Sequence, residues 1–192
     1  MGGVVLVALV VLAGIGVGVL QRGSFDGLTR TRVRLARLLA VAVVLQVLLA
    51  VARLAGLGDW VVVGLLVAAL TLLLVFALAN TSRPGMTLIA VGLGCDLLVT
   101  LLNGGTPVTA GALARAGRAA TPAAGQVLVD AGTRLPQLAD ALAVHWLGAV
   151  VSVGDIALYA GLFLLVQGLM VLRAESGGQR FQEFDYGVRG TH

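Results

Sequence analysis

Five stretches of the chain are almost continuously apolar over the length a membrane crossing needs, and most of the charge lies between them. A helix requires about 20 such residues to span the hydrocarbon layer. The runs Val4–Leu20, Leu38–Leu54, Trp60–Leu78, Met86–Leu102 and Val151–Leu172 meet that requirement and predict five transmembrane helices. The second run is bracketed by Arg37 and Arg53 and carries Gln46 near its centre, while the fourth is interrupted by Asp96. Gly58-Asp59 and Asn80-Thr81-Ser82-Arg83-Pro84-Gly85 read as tight turns, because Pro and Gly stop one helix before the next begins. The connection from Thr106 to Val150 is 45 residues long, which for a loop points to function or flexibility. Within it Leu135, Leu138, Leu142 and Trp146 recur at helical spacing and predict a short amphipathic helix over Pro136–Trp146, lying on the outer leaflet. A flexible connector with chance apolar spacing is the alternative. The fold class is therefore all-α, an integral membrane helical bundle of about five transmembrane helices. Residues 1–172 form its single domain and 173–192 a tail.

Composition agrees with this reading. Hydrophobic residues make up 59% and charged residues 11% of the chain, and mean hydropathy is +1.03. That leaves too little polar surface to cover a water-soluble globule. All 13 basic residues are Arg, in a background rich in Ala, Gly, Leu and Val, which reads as GC-rich bacterial coding. The net charge of +4 does not indicate nucleic acid, because basic residues beside apolar spans report membrane orientation. Nine arginines (Arg22, Arg30, Arg32, Arg34, Arg37, Arg83, Arg173, Arg180 and Arg189) fall on one side of the spans, against Arg53, Arg115, Arg118 and Arg134 on the other. The positive-inside bias predicts an N-out, C-in topology in the cytoplasmic membrane, with Trp60 and Trp146 at the outer interface. No basic residue precedes the first apolar run, so that run is expected to be a retained helix rather than a secretory signal. The one cysteine, Cys95, allows neither an intramolecular disulfide nor a paired-cysteine metal site.

The candidate chemistry concentrates at the ends of the fourth and fifth spans. Asp96, Thr100 and Asn103 stand at i, i+4 and i+7 and so share one face of the fourth helix. A carboxylate at mid-span costs roughly 2.5–3.5 kcal/mol on insertion scales and usually faces a bundle interior or cavity. Such a stripe also serves as hydrogen-bonding glue between helices. Arg53 is the nearest cation to Asp96 in depth. Asn103-Gly104-Gly105, followed by Pro107, predicts a turn in left-handed backbone at or just beyond membrane depth. Ser152 or Asp155 is placed to cap the fifth helix. Upstream, Arg134 and Asp140 supply a further cation and acid at the outer surface, and His145 beside Trp146 reads as interfacial. The candidate ligand-binding set is Asp96, Thr100, Asn103, Gly104, Gly105, Arg134, Asp140, Ser152 and Asp155.

Four stretches together carry a resemblance: Arg22-Gly23-Ser24 with Leu28; Asn103-Gly104-Gly105 with Pro107-Val108; Thr133-Arg134-Leu135-Pro136 with Leu138 and Asp140; and Ser152-Val153-Gly154-Asp155. In these the chain resembles a bacterial family of five-helix multi-pass membrane proteins, the domain of unknown function numbered fifty-three seventeen. The resemblance covers about Gln21 to Leu172. It departs at Asp96, where the family is expected to carry Asn, and in a shorter spacing before Pro107. The resemblance implies the five-helix fold and brings no activity. No nucleophile elbow, zinc-protease helix, P-loop or dinucleotide fingerprint occurs, so no catalytic residue, metal site or cofactor is assigned. A membrane acid–base enzyme using Asp96 or Asp155 would need a second partner within hydrogen-bond reach, and two other readings stand ahead of it. One is a transporter or a binder of lipid or small polar ligands, with a polar pocket between the fourth and fifth helices at the outer leaflet. The other is a non-catalytic subunit or assembly factor of an envelope complex, or a homo-oligomer, whose outer loop docks a partner.

Overall fold

The computed structural model describes residues 2–24, 33–119 and 121–188. Leu28, Arg30, Arg32 and Arg189, used in the sequence reading, lie outside the described residues. Helices α1 (Gly2–Leu20), α2 (Ala36–Leu54), α3 (Asp59–Ala79) and α4 (Met86–Asn103) come first. A segment of mixed structure follows, holding β1 (Thr106–Val108), the short α5 (Ala110–Arg115), β2 (Gln126–Leu128), β3 (Leu142–Val144) and β4 (Ala149–Val151). Helix α6 (Val153–Val188) closes the chain, its backbone continuing past Leu172 where the apolar pattern stops. Helices α1, α2, α3, α4 and the first part of α6 are long and apolar enough to cross a membrane. The chain is a multi-pass membrane protein.

The long helices lie side by side in the order α1, α6, α4, α3, α2. Their packing is decided by size rather than by polarity. Along α6, Gly154, Gly161 and Gly168 are spaced by seven and meet Gly92, Gly85 and Pro84. A Cβ on Gly92 would lie 2.5 Å from the Gly154 carbonyl oxygen and 2.8 Å from the Leu158 nitrogen, so the two backbones touch directly. A seven-residue repeat keeps such a seam in register only if the helices cross with a left-handed twist. Helix α1 uses a shorter repeat, Gly14 and Gly18, which seat Val166 and Met170 of α6. Between α3 and α4 the core is bulkier, built from Leu70, Phe76, Ala77, Met86, Ala90 and Leu93.

Each end of the bundle is tied by an asparagine. At one end Asn80, buried just after α3, accepts the Arg34 N–H (2.8 Å) and donates to the Arg34 carbonyl (2.9 Å) and to the Phe76 carbonyl (2.8 Å). At the other end Asn103 grips the backbone of Arg134 in the same way, as described below. Residues 104–119 and 121–152 form a cap over this second end. In it β1 pairs in parallel with β2, Thr106 opposite Gln126, and β3 pairs antiparallel with β4, Leu142 opposite Val151. Asp59, at the start of α3, accepts the Gly125 N–H at 3.1 Å and so ties the cap to a third helix.

Two expectations are corrected here. No continuous amphipathic helix forms over Pro136–Trp146: Pro136–Leu138 and His145–Leu147 are single 3-10 turns flanking strand β3. Asp140, in the middle of that stretch, gives its N–H to the Pro107 carbonyl (2.8 Å) and accepts the Thr109 N–H (3.1 Å). With both backbone groups committed to the end of β1, a helix cannot pass through it. The fifth spanning helix begins at Val153 rather than Val151, because Val151 is held in the β3–β4 pair.

Candidate functional site

The junction of α4 and α6 beneath the cap gathers three of the predicted residues into one network. Ser152 is the N-cap of α6 and is 2% exposed. Its N–H donates to Asp155 Oδ2 at 2.9 Å, and its Oγ accepts the Asp155 N–H at 3.0 Å. This reciprocal arrangement, a serine followed three residues later by an acid, satisfies amides that the first turn of a helix leaves free. The serine hydroxyl then donates across the interface to Asp96 Oδ1 at 3.1 Å, the partner Asp96 takes instead of Arg53. Gly154 makes the approach possible, since any Cβ there would collide with the Asp96 carboxylate. Asp96 therefore rests against the N-terminal turn of α6, where unpaired amides and the helix dipole favour negative charge.

Asp140 closes the same region from the cap side. It is 8% exposed, and its backbone bridges β1 to the segment before β3. Burial, and then the neighbouring charges of Asp155 and Asp96, push its carboxyl up to about 8, against the opposing pull of Arg118 and a hydrogen bond with Gln126. Desolvation and like charge both disfavour ionisation of this carboxyl. Tyr159, one turn along α6 from Asp155, lies within the field of all three. Among the described residues no group of three or more His, Cys, Asp or Glu is arranged to hold a metal ion.

The other predicted residues form a second set. Asn103 Oδ1 accepts the Arg134 N–H (2.8 Å), and its Nδ2 donates to the carbonyls of Arg134 (2.9 Å) and Val99 (2.8 Å). Thr100, fully buried, faces Thr106 with 3.4 Å between hydroxyl oxygens. Gly104 takes the left-handed conformation (φ 68°) that ends α4, and Gly105 lies against the Gly125 carbonyl. These residues shape the turn into β1 and anchor the Arg134 backbone, and none of them bonds to the three acids. The stripe on α4 is thus split. Asp96 faces α6, while Thr100 and Asn103 hold the cap. Sequence reasoning missed Gly92, Gln126 and Tyr159, and took Gly154 only as part of the Ser152–Asp155 stretch without its packing role. The seven-residue glycine spacing was the available signal for the glycines, but it is diluted among 27 glycines.

No curated protein and no solved structure matches the chain. One family does, and its match covers residues 30–167. That span contains α2, α3 and α4 in full, most of the spanning part of α6, the cap and the Asp96–Ser152–Asp155 junction. The chain belongs to the family of unknown function DUF5317.

Proposed function

We propose that this protein is a membrane-embedded binder or carrier of a small polar ligand or lipid headgroup, and that Asp96, Ser152 and Asp155 are its acidic floor, with Asp140 above them. One observation carries the reading. Two carboxyl groups share a single serine at the helix junction, and among the described residues no cationic side chain bonds to either. Glue between helices needs only a hydroxyl or an amide, which avoids the roughly 2.5–3.5 kcal/mol cost of a carboxylate at depth. Acids placed there suit a ligand that brings positive charge or several hydroxyl donors. The nine-to-four Arg asymmetry and the exposed Trp60 and Trp146 at the cap end support an external cap and a cytoplasmic C-terminus.

Native mass spectrometry of the full chain in mild detergent tests this. A cationic or hydroxyl-rich species should accompany the wild type and be lost from Asp96→Asn, which keeps the size and the hydrogen bond. Retention of the same species by Asp96→Asn makes the network architecture and ends the proposal. A second reading, docking of an envelope partner on the cap, draws support from the exposed Leu128, Leu135, Leu142 and Trp146. A stoichiometric protein partner that a Trp146→Ser variant releases would favour it.

A further inference from the structure

Gln46 lies one residue past the midpoint of α2, a helix of 19 residues bounded by Ala36 and Leu54. Its side chain is exposed on the outside of the bundle and has no hydrogen-bond partner among the described residues. Several other polar side chains in or beside the spans are treated differently. Thr71 bonds back to the Val67 carbonyl (2.7 Å), Gln167 donates to Gln21 (2.7 Å), and Asn80 and Asn103 are saturated. Gln46 cannot reach water, because at 1.5 Å per residue either end of α2 is roughly 12–15 Å away, several times the length of its side chain. An amide left unbonded in hydrocarbon is penalised heavily, since nothing there can accept or donate.

The position of α2 leaves room for a remedy. It is the last helix of the row and packs on α3 through Ala42, Leu49 and Ala52. Val43, Gln46 and Ala50, spaced by three and four, form an adjacent face that is exposed throughout. That spacing is the seam of a two-helix coil, and Ala50 is small enough to let a second helix come close.

We propose that this face of α2 pairs with α2 of a second copy of the chain, the two Gln46 amides hydrogen-bonding to each other. Self-complementarity selects this occupant. A primary amide carries both donor and acceptor, and a two-fold axis along the membrane normal sets the same residue of both copies at the same depth. Any other membrane partner needs its own polar group at that depth. The pairing is independent of the acidic junction and leaves it accessible, because α3 stands between α2 and α4.

The test uses the full chain, Cys95→Ser, reconstituted in phosphatidylcholine vesicles. Energy transfer between copies labelled at Ser82→Cys should fall on lipid dilution as a dimer dissociates. Gln46→Leu should weaken association on the order of tenfold, from the loss of two reciprocal interhelical bonds, and Gln46→Asn should retain most of it. In separate variants, oxidation should cross-link Val43→Cys and Ala50→Cys but not Leu48→Cys, on the opposite face. Energy transfer no greater than that of randomly distributed monomers, undiminished association of Gln46→Leu, or equal cross-linking at Leu48→Cys would each overturn the proposal.

Discussion

Replacing Gly161 by alanine adds one methyl group to the α4–α6 seam, and the structure gives that methyl nowhere to go. It would lie 2.6 Å from the Gly85 carbonyl oxygen, 2.7 Å from the Ile89 nitrogen and 2.8 Å from Ile89 Cγ1. Non-bonded carbons settle at about 3.5–4.0 Å, so α6 has to retreat by roughly 1 Å. Two of the three neighbours are backbone atoms, so no rotamer change relieves the clash. Overpacking of this kind costs about 1–3 kcal/mol. The same retreat stretches the Ser152–Asp96 hydrogen bond from 3.1 Å to beyond bonding range, which removes about a further 1 kcal/mol. Alanine's better helix propensity returns at most about 1 kcal/mol, leaving a net loss on the order of 1–3 kcal/mol. Gly64→Ala, where nothing lies within 4 Å, is the control and should be neutral or slightly stabilising. Both variants can be compared by unfolding with sodium dodecyl sulfate in mixed micelles. Equal stability of Gly161→Ala and wild type would refute the claim that backbone contact along this seam holds the bundle together.

Three further outcomes follow from the hydrogen-bond networks. Ser152→Ala removes the hydroxyl shared by Asp96 and the α6 cap, and should lower stability in the same titration by about 1–3 kcal/mol; a change below about 0.5 kcal/mol would show the junction to be dispensable. Asn103→Ala should speed amide hydrogen exchange at Arg134 at least about tenfold, corresponding to some 1.4 kcal/mol of local protection, while Arg34, held by Asn80, stays protected. Cap stability should depend on pH through Asp140, whose carboxyl is raised from 3.8 to about 8. The folded cap keeps a proton that the opened cap releases, so this contribution is complete below about pH 4 and is lost as pH rises through about 8. Exchange of the cap amides, measured against the intrinsic unfolded-chain rate at each pH, should show protection falling from pH 5 to 9 in the wild type and a flatter profile in Asp140→Asn; protection that grows with pH would contradict the assignment.

The spanning helices were legible because a twenty-residue apolar run has few other fates; α1 to α4 end within about two residues of the apolar runs, whereas the backbone of α6 continues to Val188, well past Leu172. The cap on α6 was legible too, since a serine three residues before an acid at a helix start is a local signal. What failed depended on distance along the chain. The apolar spacing of Leu135, Leu138, Leu142 and Trp146 suggested a helix, but Asp140 is claimed by Pro107 and Thr109, over thirty residues away. Nothing near Asp96 announced that its partner would be Ser152, 56 residues on. The order of helices in the row was hidden for another reason. Spans that are apolar on every side carry little information about which face is inward, and here that choice is made by glycines that admit a neighbouring backbone.

That order bears on how the protein is made. Helix α2 meets its neighbour α3 as soon as both have emerged, and the Asn80–Arg34 clamp can shut behind them. Among the described residues, helix α1 has no such extensive early partner. Its extensive helix contact, among the described residues, is with α6, whose spanning part ends at Val171. At 5–20 residues per second, roughly 8–30 s separate the completion of α1 from that of its mate. For that interval it must persist alone in lipid, exposing its glycine groove to acyl chains. A span without a single polar side chain from Gly2 to Leu20 suits that wait, because it owes no hydrogen bond to a helix not yet synthesised.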